Sequence, residues 1–310
     1  MGRYISHRKN ICAPKYEGVR AKKALGQHFL HNEDIAIEIV DSLLIPSTGL
    51  DNAPTIEGGV NVLEVGPGTG VLTQYLLMDK RINLQLCEID TESIDKLRAR
   101  FPQFLYTLQP RDFLQTSLQE VFPAVKENSI ISGTNGNEVY IIGNFPYNIS
   151  SQIFFKVLEE TERITQVVCM LQKEVAQRLA SKPGSRDYGI LSVLLQTWYD
   201  IEYLFTVDER QFVPPPKVKS GVIRLWRNTR LSLGCNEQLY RSIIKTTFGQ
   251  RRKTLRNSIR QIISPEIMTA DKKAAQLLDM RPEQLDVEDF IHLTLTAEKY
   301  KQHERKDELD

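Results

Sequence analysis

The run Tyr140-Ile141-Ile142-Gly143-Asn144-Phe145-Pro146-Tyr147-Asn148-Ile149-Ser150 holds the residue types best suited to chemistry. Its first part is β-branched and aromatic, the mark of a buried strand. Gly143 breaks the run, a polar-aromatic turn follows, and Ser150 or Ser151 is placed to cap a helix after it. Open α/β sheets bind ligands at the carboxyl ends of their strands. At such a tip Asn144 offers a side-chain amide, Pro146 a backbone carbonyl outside any sheet, and Tyr147 an aromatic face. Those groups suit a flat base carrying an exocyclic amine. An ordinary Asn-Pro turn has the same residues, so the rest of the chain decides.

A second constellation lies upstream. The strand Val60-Asn61-Val62-Leu63-Glu64-Val65 leads into Gly66-Pro67-Gly68-Thr69-Gly70 and an apolar helix over 71–78. Strand, glycine-rich turn and helix form a nucleotide-binding entry, in which glycines let the backbone approach the ligand. A dinucleotide fingerprint needs a third glycine at position 71, which is Val71. The pattern Glu-x-Gly-x-Gly-x-Gly instead resembles motif I of S-adenosylmethionine-dependent methyltransferases. Glu88 ends the next strand, 82–87, and lies 22 residues after Gly66, where an acid can accept ribose hydroxyls. A third strand over 104–108 leads to Asp112, placed to accept an adenine amine.

Other elements must position these groups. Residues 1–23 form a basic arm, and 47–59 a polar connector. His28 sits in the loop Leu25-Gly26-Gln27-His28-Phe29-Leu30, a place where a lone histidine is usually structural, before a helix that Asn32 can cap. Residues 126–138 read as a long surface loop, 151–159 as a helix, 165–171 as a strand, 172–179 and 190–199 as helices, and 201–207 and 220–226 as strands. Between the last two, Pro214-Pro215-Pro216 fixes an extended segment that can hold Phe212 at a rim. From about residue 229 the pattern is helical. There Arg252, Arg256 and Arg260 recur every four residues, on one helix face, with Leu255, Ile259 and Ile262 on another. Lys245–Arg260 carries six basic residues and no acid, a one-sign stripe that favours a polyanion.

With a net charge of +1, nucleic-acid binding has to come from local patches of this kind. The four cysteines form no Cys-x-x-Cys pair, which reads as reduced cytosolic thiols and no metal site. No apolar run reaches membrane-helix length, and the amino terminus lacks a signal-peptide core. A cytoplasmic protein is expected.

The motifs LGQHFL at 25–30, EVGPGTG at 64–70, CEID at 87–90, GNFPYNIS at 143–150, LQKEVAQRL at 171–179, FVPPPKVKSGVIRL at 212–225 and FGQRRKTLRNSI at 248–259 resemble, in that order, the KsgA/Dim family of rRNA adenine dimethyltransferases, nearer its bacterial members. Resemblance spans roughly residues 20–265. It implies an α/β fold: a Rossmann-like seven-stranded methyltransferase domain over 24–228 and a small helical RNA-binding domain over 229–310. It also implies S-adenosylmethionine as cofactor, and transfer of two methyl groups to each of two adjacent adenosines near the 3′ end of 16S rRNA in the small ribosomal subunit. Carried over, the cofactor contacts are His28, Leu30, Gly66, Glu88, Asp112 and Asn144. The catalytic set is Asn144, Pro146, Tyr147 and Phe212, with the two aromatic rings stacking on the flipped base. Arg251, Arg252, Lys253, Arg256 and Arg260 would bind RNA. A monomer is expected. The family usually has Leu where Phe145 stands, a swap that should reshape the turn slightly. A 23S-rRNA methyltransferase of the macrolide-resistance type shares the Asn-x-Pro-Tyr turn but not the triple proline or the FGQRRKTLRN segment. A DNA-adenine or protein-glutamine methyltransferase would more often carry Pro at 145. A non-catalytic assembly factor on the same fold is the remaining alternative, against which the intact Glu88, Asp112, Asn144 and Tyr147 set stands.

Overall fold

The structure, a computed structural model, describes residues 19–45, 59–123, 138–262 and 270–307. Most of the expected arm over 1–23, of the connector over 47–59 and of the loop over 126–138, and residues 308–310, lie outside the described residues.

In chain order the first elements are β1 (Phe29–Leu30), α1 (Glu33–Asp41), β2 (Val60–Val65), α2 (Thr73–Leu76), β3 (Ile82–Glu88) and α3 (Thr91–Arg100). Next come β4 (Leu108–Pro110), α4 (Leu118–Val121), β5 (Val139–Asn144), α5 (Ser150–Glu159), β6 (Ile164–Gln172) and α6 (Lys173–Leu179). They are followed by α7 (Ile190–Gln196), β7 (Tyr199–Val207), β8 (Phe212–Val213), β9 (Ser220–Arg227), α8 (Glu237–Gly249) and α9 (Leu255–Ser258). Two further helices cover Lys272–Leu278 and Val287–Asp307.

Seven strands form one sheet in the order β4-β3-β2-β5-β6-β9-β7. The pairs from β4 to β6 are parallel, and β9 runs antiparallel to β6. Parallel strands are covered on both faces and read as unbroken apolar runs, and Val139–Gly143 is buried throughout. The order reverses direction at β2, whose neighbours are β3 on one side and β5 on the other, so their three carboxyl tips lie together. That is the switch point where such sheets take ligands.

The described chain forms two compact units, one reaching to Ala176 and including Glu202–Arg227, the other comprising Gln177–Ile201 and the chain from Asn228. The expected boundary kept 177–201 in the larger domain. The structure moves that stretch, because buried Val193, Leu194 and Leu195 of α7 and Thr197 belong to the helical unit, where the Thr197 and Tyr240 hydroxyls meet at 2.8 Å.

Several expected boundaries shift. Residues 102–107 form a 3-10 turn, and the third strand starts only at Leu108. The helix expected over 190–199 ends at Gln196, and Tyr199 opens β7. The helix expected over 71–78 is regular only over Thr73–Leu76. Neither serine caps α5 with its side chain: the helix begins at Ser150 itself, whose hydroxyl donates to the Tyr147 carbonyl at 3.3 Å. Asn32 does cap α1, accepting from Ile35 N at 3.1 Å.

Phe145 is 1% exposed and packs edge-on against Phe154, with centroids 6.0 Å apart. Its ring therefore fills the core beneath the turn. Gly143 makes room for it: a Cβ there would strike the Val65 carbonyl oxygen and approach the Phe145 ring at 3.1 Å. Replacing Gly143 with Ala should destabilise the protein by roughly 1–3 kcal/mol, the usual penalty of overpacking. Urea unfolding should show a lower midpoint at an unchanged slope. An equal midpoint would mean that the strand tip yields to a methyl group.

Candidate functional site

The tips of β2, β3 and β5 border a cavity of about 370 Å³, within the range of nucleoside-sized ligands. The segment Ala24–Leu30, the glycine turn, Glu88, Ile89, Asp112 and the turn Asn144–Ile149 line it. His28, Leu30, Gly66, Glu88, Asp112, Asn144, Pro146 and Tyr147 thus share one cavity. Phe212 is not among its walls.

Glu88 is 5% exposed. Its Oε2 accepts from Gly68 N, and its Oε1 from Ile89 N and Asp90 N, each at 2.9 Å. Burial raises its pKa, against the pull of those three backbone bonds. Gly66 has φ +68, which favours glycine, and a Cβ on it would meet nothing within 4 Å. Backbone can therefore approach a ligand closely there. Asp112 accepts from Leu114 N at 2.9 Å, which sets its carboxylate in the cavity wall. Arg100 braces the turn from behind, donating to the Thr69 carbonyl at 2.9 Å and the Gln74 amide oxygen at 2.5 Å.

Asn144 Nδ2 donates to the His28 carbonyl at 2.9 Å. A carbonyl can only accept, so the amide nitrogen must face it. The amide oxygen is thereby left available as an acceptor. The Pro146 carbonyl makes one long bond, to Ile149 N at 3.3 Å, and retains a second lone pair. Tyr147 is half-buried, its hydroxyl lies 2.5 Å from Ser220 Oγ, and its ring stacks with His28 at a centroid distance of 5.5 Å. His28 Nδ1 lies 2.8 Å from the Pro214 carbonyl and must carry a proton to bond it.

Phe212 is a correction. It is 2% exposed, pairs with Leu30 across the two-stranded β1–β8 sheet and packs in the core with Ile39, Tyr75 and Val222. A ring enclosed in this way offers no face to a base, so its expected stacking role is withdrawn. The sequence placed it at a rim because the prolines were visible and the pairing of β8 with β1 was not.

Two residues were missed. Ile89 is 53% exposed on the cavity wall, an apolar surface suited to one side of an adenine ring. Its position directly after Glu88 was a signal. Glu64, the first residue of the glycine motif, is 1% exposed and accepts from Thr73 Oγ1 at 2.7 Å. Burial pushes its pKa up to about 8, with Thr73 opposing and the Glu88 charge adding to the rise.

The basic segment also differs from expectation. α8 ends at Gly249, residues 250–254 form a turn, and α9 starts at Leu255, so Arg252, Arg256 and Arg260 do not share one continuous helix. Arg256 Nε bonds Asp279 Oδ1 at 2.9 Å, and Arg251 reaches the Ser185 carbonyl at 3.3 Å and Glu283 at 3.6 Å. Part of the one-sign stripe is thus answered by acids from elsewhere in the chain. Arg252, Lys253 and Arg260 are exposed. Among the described residues no group of three metal-ligating side chains comes together, and no helix is long and apolar enough to cross a membrane.

Glu64 makes stability depend on pH. Folding raises its pKa from 4.5 to about 8, so the folded state keeps a proton that the unfolded state releases. The associated stability is intact below the unfolded value and is lost as pH rises towards the folded one. Glu64→Gln does not titrate. Its stability relative to wild type should climb by at most about 1.4 kcal/mol per pH unit across that window and level off above it. Denaturant melts at several pH values test this, and a flat difference would show Glu64 ionised in the fold.

Comparison with known proteins adds an independent line. The family described as "Ribosomal RNA adenine dimethylase" matches residues 18–299. "Ribosomal RNA small subunit methyltransferase A" of Parabacteroides distasonis is 47% identical over 291 residues, covering 94% of this chain and 99% of that protein. The protein of the same name from Porphyromonas gingivalis is 50% identical over 277 residues, covering 89% and 97%. Among solved structures, a dimethyladenosine transferase from Plasmodium falciparum aligns with a TM-score of 0.68 at 24% identity, over 88% of this chain and 98% of that one. The 23S rRNA methyltransferase ErmE aligns with a TM-score of 0.59 at 22% identity, over 86% and 99%. At such identities the two structures speak for the fold alone.

Proposed function

The chain belongs to the ribosomal RNA adenine dimethylase family, and from that premise we propose that it dimethylates the N6 amines of two adjacent adenosines near the 3′ end of 16S rRNA, using S-adenosylmethionine. The observation that carries the reading is the Asn144 amide, fixed by the His28 carbonyl with its oxygen left to accept an amine. The relatives named for the small subunit favour this substrate over a 23S site. The protein acts as a cytoplasmic monomer on the small subunit and takes part in its biogenesis.

The cavity suits the cofactor: Gly66 leaves open space at its backbone, and Glu88, Asp112 and Ile89 supply acceptors and an apolar wall. Glu88 would hold the ribose hydroxyls and Asp112 the adenine amine, with His28, Leu30 and Gly66 completing the enclosure. When bound, the cofactor supplies an electrophilic methyl group.

An exocyclic adenine amine is a poor nucleophile because its lone pair is delocalised into the ring. In the first transfer Asn144 Oδ1 and the Pro146 carbonyl accept its two N–H bonds and draw the nitrogen towards tetrahedral geometry, which localises the lone pair. As the N–C bond forms, the methyl's bond to sulfur breaks and one N–H proton passes to water. In the second transfer the single remaining N–H therefore keeps one of the two acceptors. Tyr147 holds the flipped base by its ring face, braced by His28 and Ser220. No covalent nucleophile is required, and the rate enhancement comes from positioning and electrostatics. Exposed cations of the helical unit hold phosphates.

Incubation with undermethylated small subunits and labelled cofactor, followed by mass mapping, should place the label on two adjacent adenosines of 16S rRNA. Label on 23S rRNA, or none, would refute the proposal and in the second case leave the assembly-factor reading. Tyr147→Phe loses only the bond to Ser220 and should retain most activity. Tyr147→Ala should lose roughly 1–3 kcal/mol of base positioning, or about five- to 150-fold in rate, and Asn144→Ala should turn over more slowly still with near-normal RNA affinity. If the Phe variant were as inactive as Tyr147→Ala, the hydroxyl and not the ring would be essential.

Salt titrations should separate the cations. Replacing Arg252 and Arg260 with Gln should flatten the log–log salt dependence of RNA binding by about 0.7–0.9 for each lost phosphate contact. Arg256→Gln should matter less, since Asp279 already engages it. A slope unchanged by the first pair would assign these cations to solvent.

A further inference from the structure

Gln27 uses both ends of its amide. Its Oε1 accepts from Lys22 N at 2.9 Å, and its Nε2 donates to Asp90 Oδ2 at 3.2 Å. Asp90 is 2% exposed and occupies the head of α3, where it takes the Ser93 hydroxyl at 2.9 Å. Its other oxygen meets the Lys22 ammonium. Its backbone N–H goes to Glu88 Oε1 at 2.9 Å. One residue after Gln27, the His28 carbonyl receives Asn144 Nδ2 at 2.9 Å. The same segment is seated on the turn at two more points. Asn148 Nδ2 reaches the Ala24 carbonyl at 3.3 Å, and a Cβ on Gly26 would stand 2.6 Å from Asn148 Oδ1.

The segment is therefore pinned on opposite sides of the cavity, by Asp90 beside Glu88 and by Asn144 and Asn148 on the turn. We propose that Gln27 is a positioning residue for methyl transfer: its amide ties the His28 carbonyl, and through it the Asn144 amide, to the Asp90 carboxylate beside the ribose-binding acid. The inference rests on the methyl-transfer role given to Asn144 above. Lys22 alone is a weaker anchor, because its side chain is 35% exposed and solvent screens its ion pair. It also stands farther along the chain from His28. Without the Gln27 bond the carbonyl is less well placed, the amide of Asn144 loses its fixed orientation, and the amine meets a misaligned acceptor. Small displacements of this kind act on turnover.

The test uses the full chain on undermethylated small subunits, with Gln27→Leu and Gln27→Glu. The Glu variant keeps an acceptor for Lys22 N and loses the donor to Asp90. In both, kcat should fall roughly tenfold, with a smaller change in KM for the cofactor. The side-chain amide signal of Asn144, observed in selectively labelled protein, should move in both as its bond to His28 loosens. Unaltered kcat in either variant, or an Asn144 signal that stays in place, would overturn the role of Gln27. Wild type is assayed in parallel: if it fails to methylate the subunits, the functional reading falls, and if it succeeds, any negative result counts against Gln27 alone.

Discussion

Three backbone N–H groups, those of Gly68, Ile89 and Asp90, converge on the carboxylate of Glu88. Strands of a parallel sheet end with polar backbone groups that no neighbouring strand can pair, and a buried group left in that state costs free energy. Glu88 answers three of them at once. It holds the glycine turn after β2 against the tip of β3 and sets the head of α3. Gly66 N adds a bond to the Cys87 carbonyl at 2.9 Å, so the turn is fixed to β3 by backbone and side chain together. The cavity keeps its shape because these bonds leave the turn little freedom.

The arrangement concentrates cost at the site. Glu64 and Glu88 are both nearly enclosed, and burial raises the pKa of each. Buried carboxyl groups are a poor way to stabilise a fold. Their clustering under a ligand cavity is the usual mark of a site where stability gives way to chemistry. The surrounding core compensates: Leu63 on β2 beside Glu64, and Ile141 and Ile142 on the neighbouring β5, are fully buried, and Phe145 packs under the turn.

The two largest departures from expectation have one physical origin. Phe212 was read from its own neighbourhood, where prolines suggest a stiff exposed segment, yet its ring goes inwards because β8 pairs with β1 and places it opposite Leu30. The basic stripe was counted along the chain, yet Asp279 and Glu283 come from distant positions to meet Arg256 and Arg251. Local sequence reports which side chains are present. It does not report what is folded against them.

The sequence by itself determined the α/β fold class, the helical character of the chain beyond residue 229, the glycine turn, the acids at two strand tips and the Asn-x-Pro-Tyr turn. Each is a local signal: a period, a break in an apolar run, or a spacing fixed by strand and helix length. The shared motifs also carried the family. Tertiary structure decided the rest. It assigned 177–201 to the helical unit, because an apolar helix joins whichever core buries it. It broke the basic helix at residues 250–254, since Leu255 and Ile259 must reach a core that periodicity alone cannot locate. It turned the Asn144 amide by giving it a carbonyl 116 residues earlier in the chain. Contacts of that range depend on the packing of the whole sheet, and no spacing within one segment encodes them.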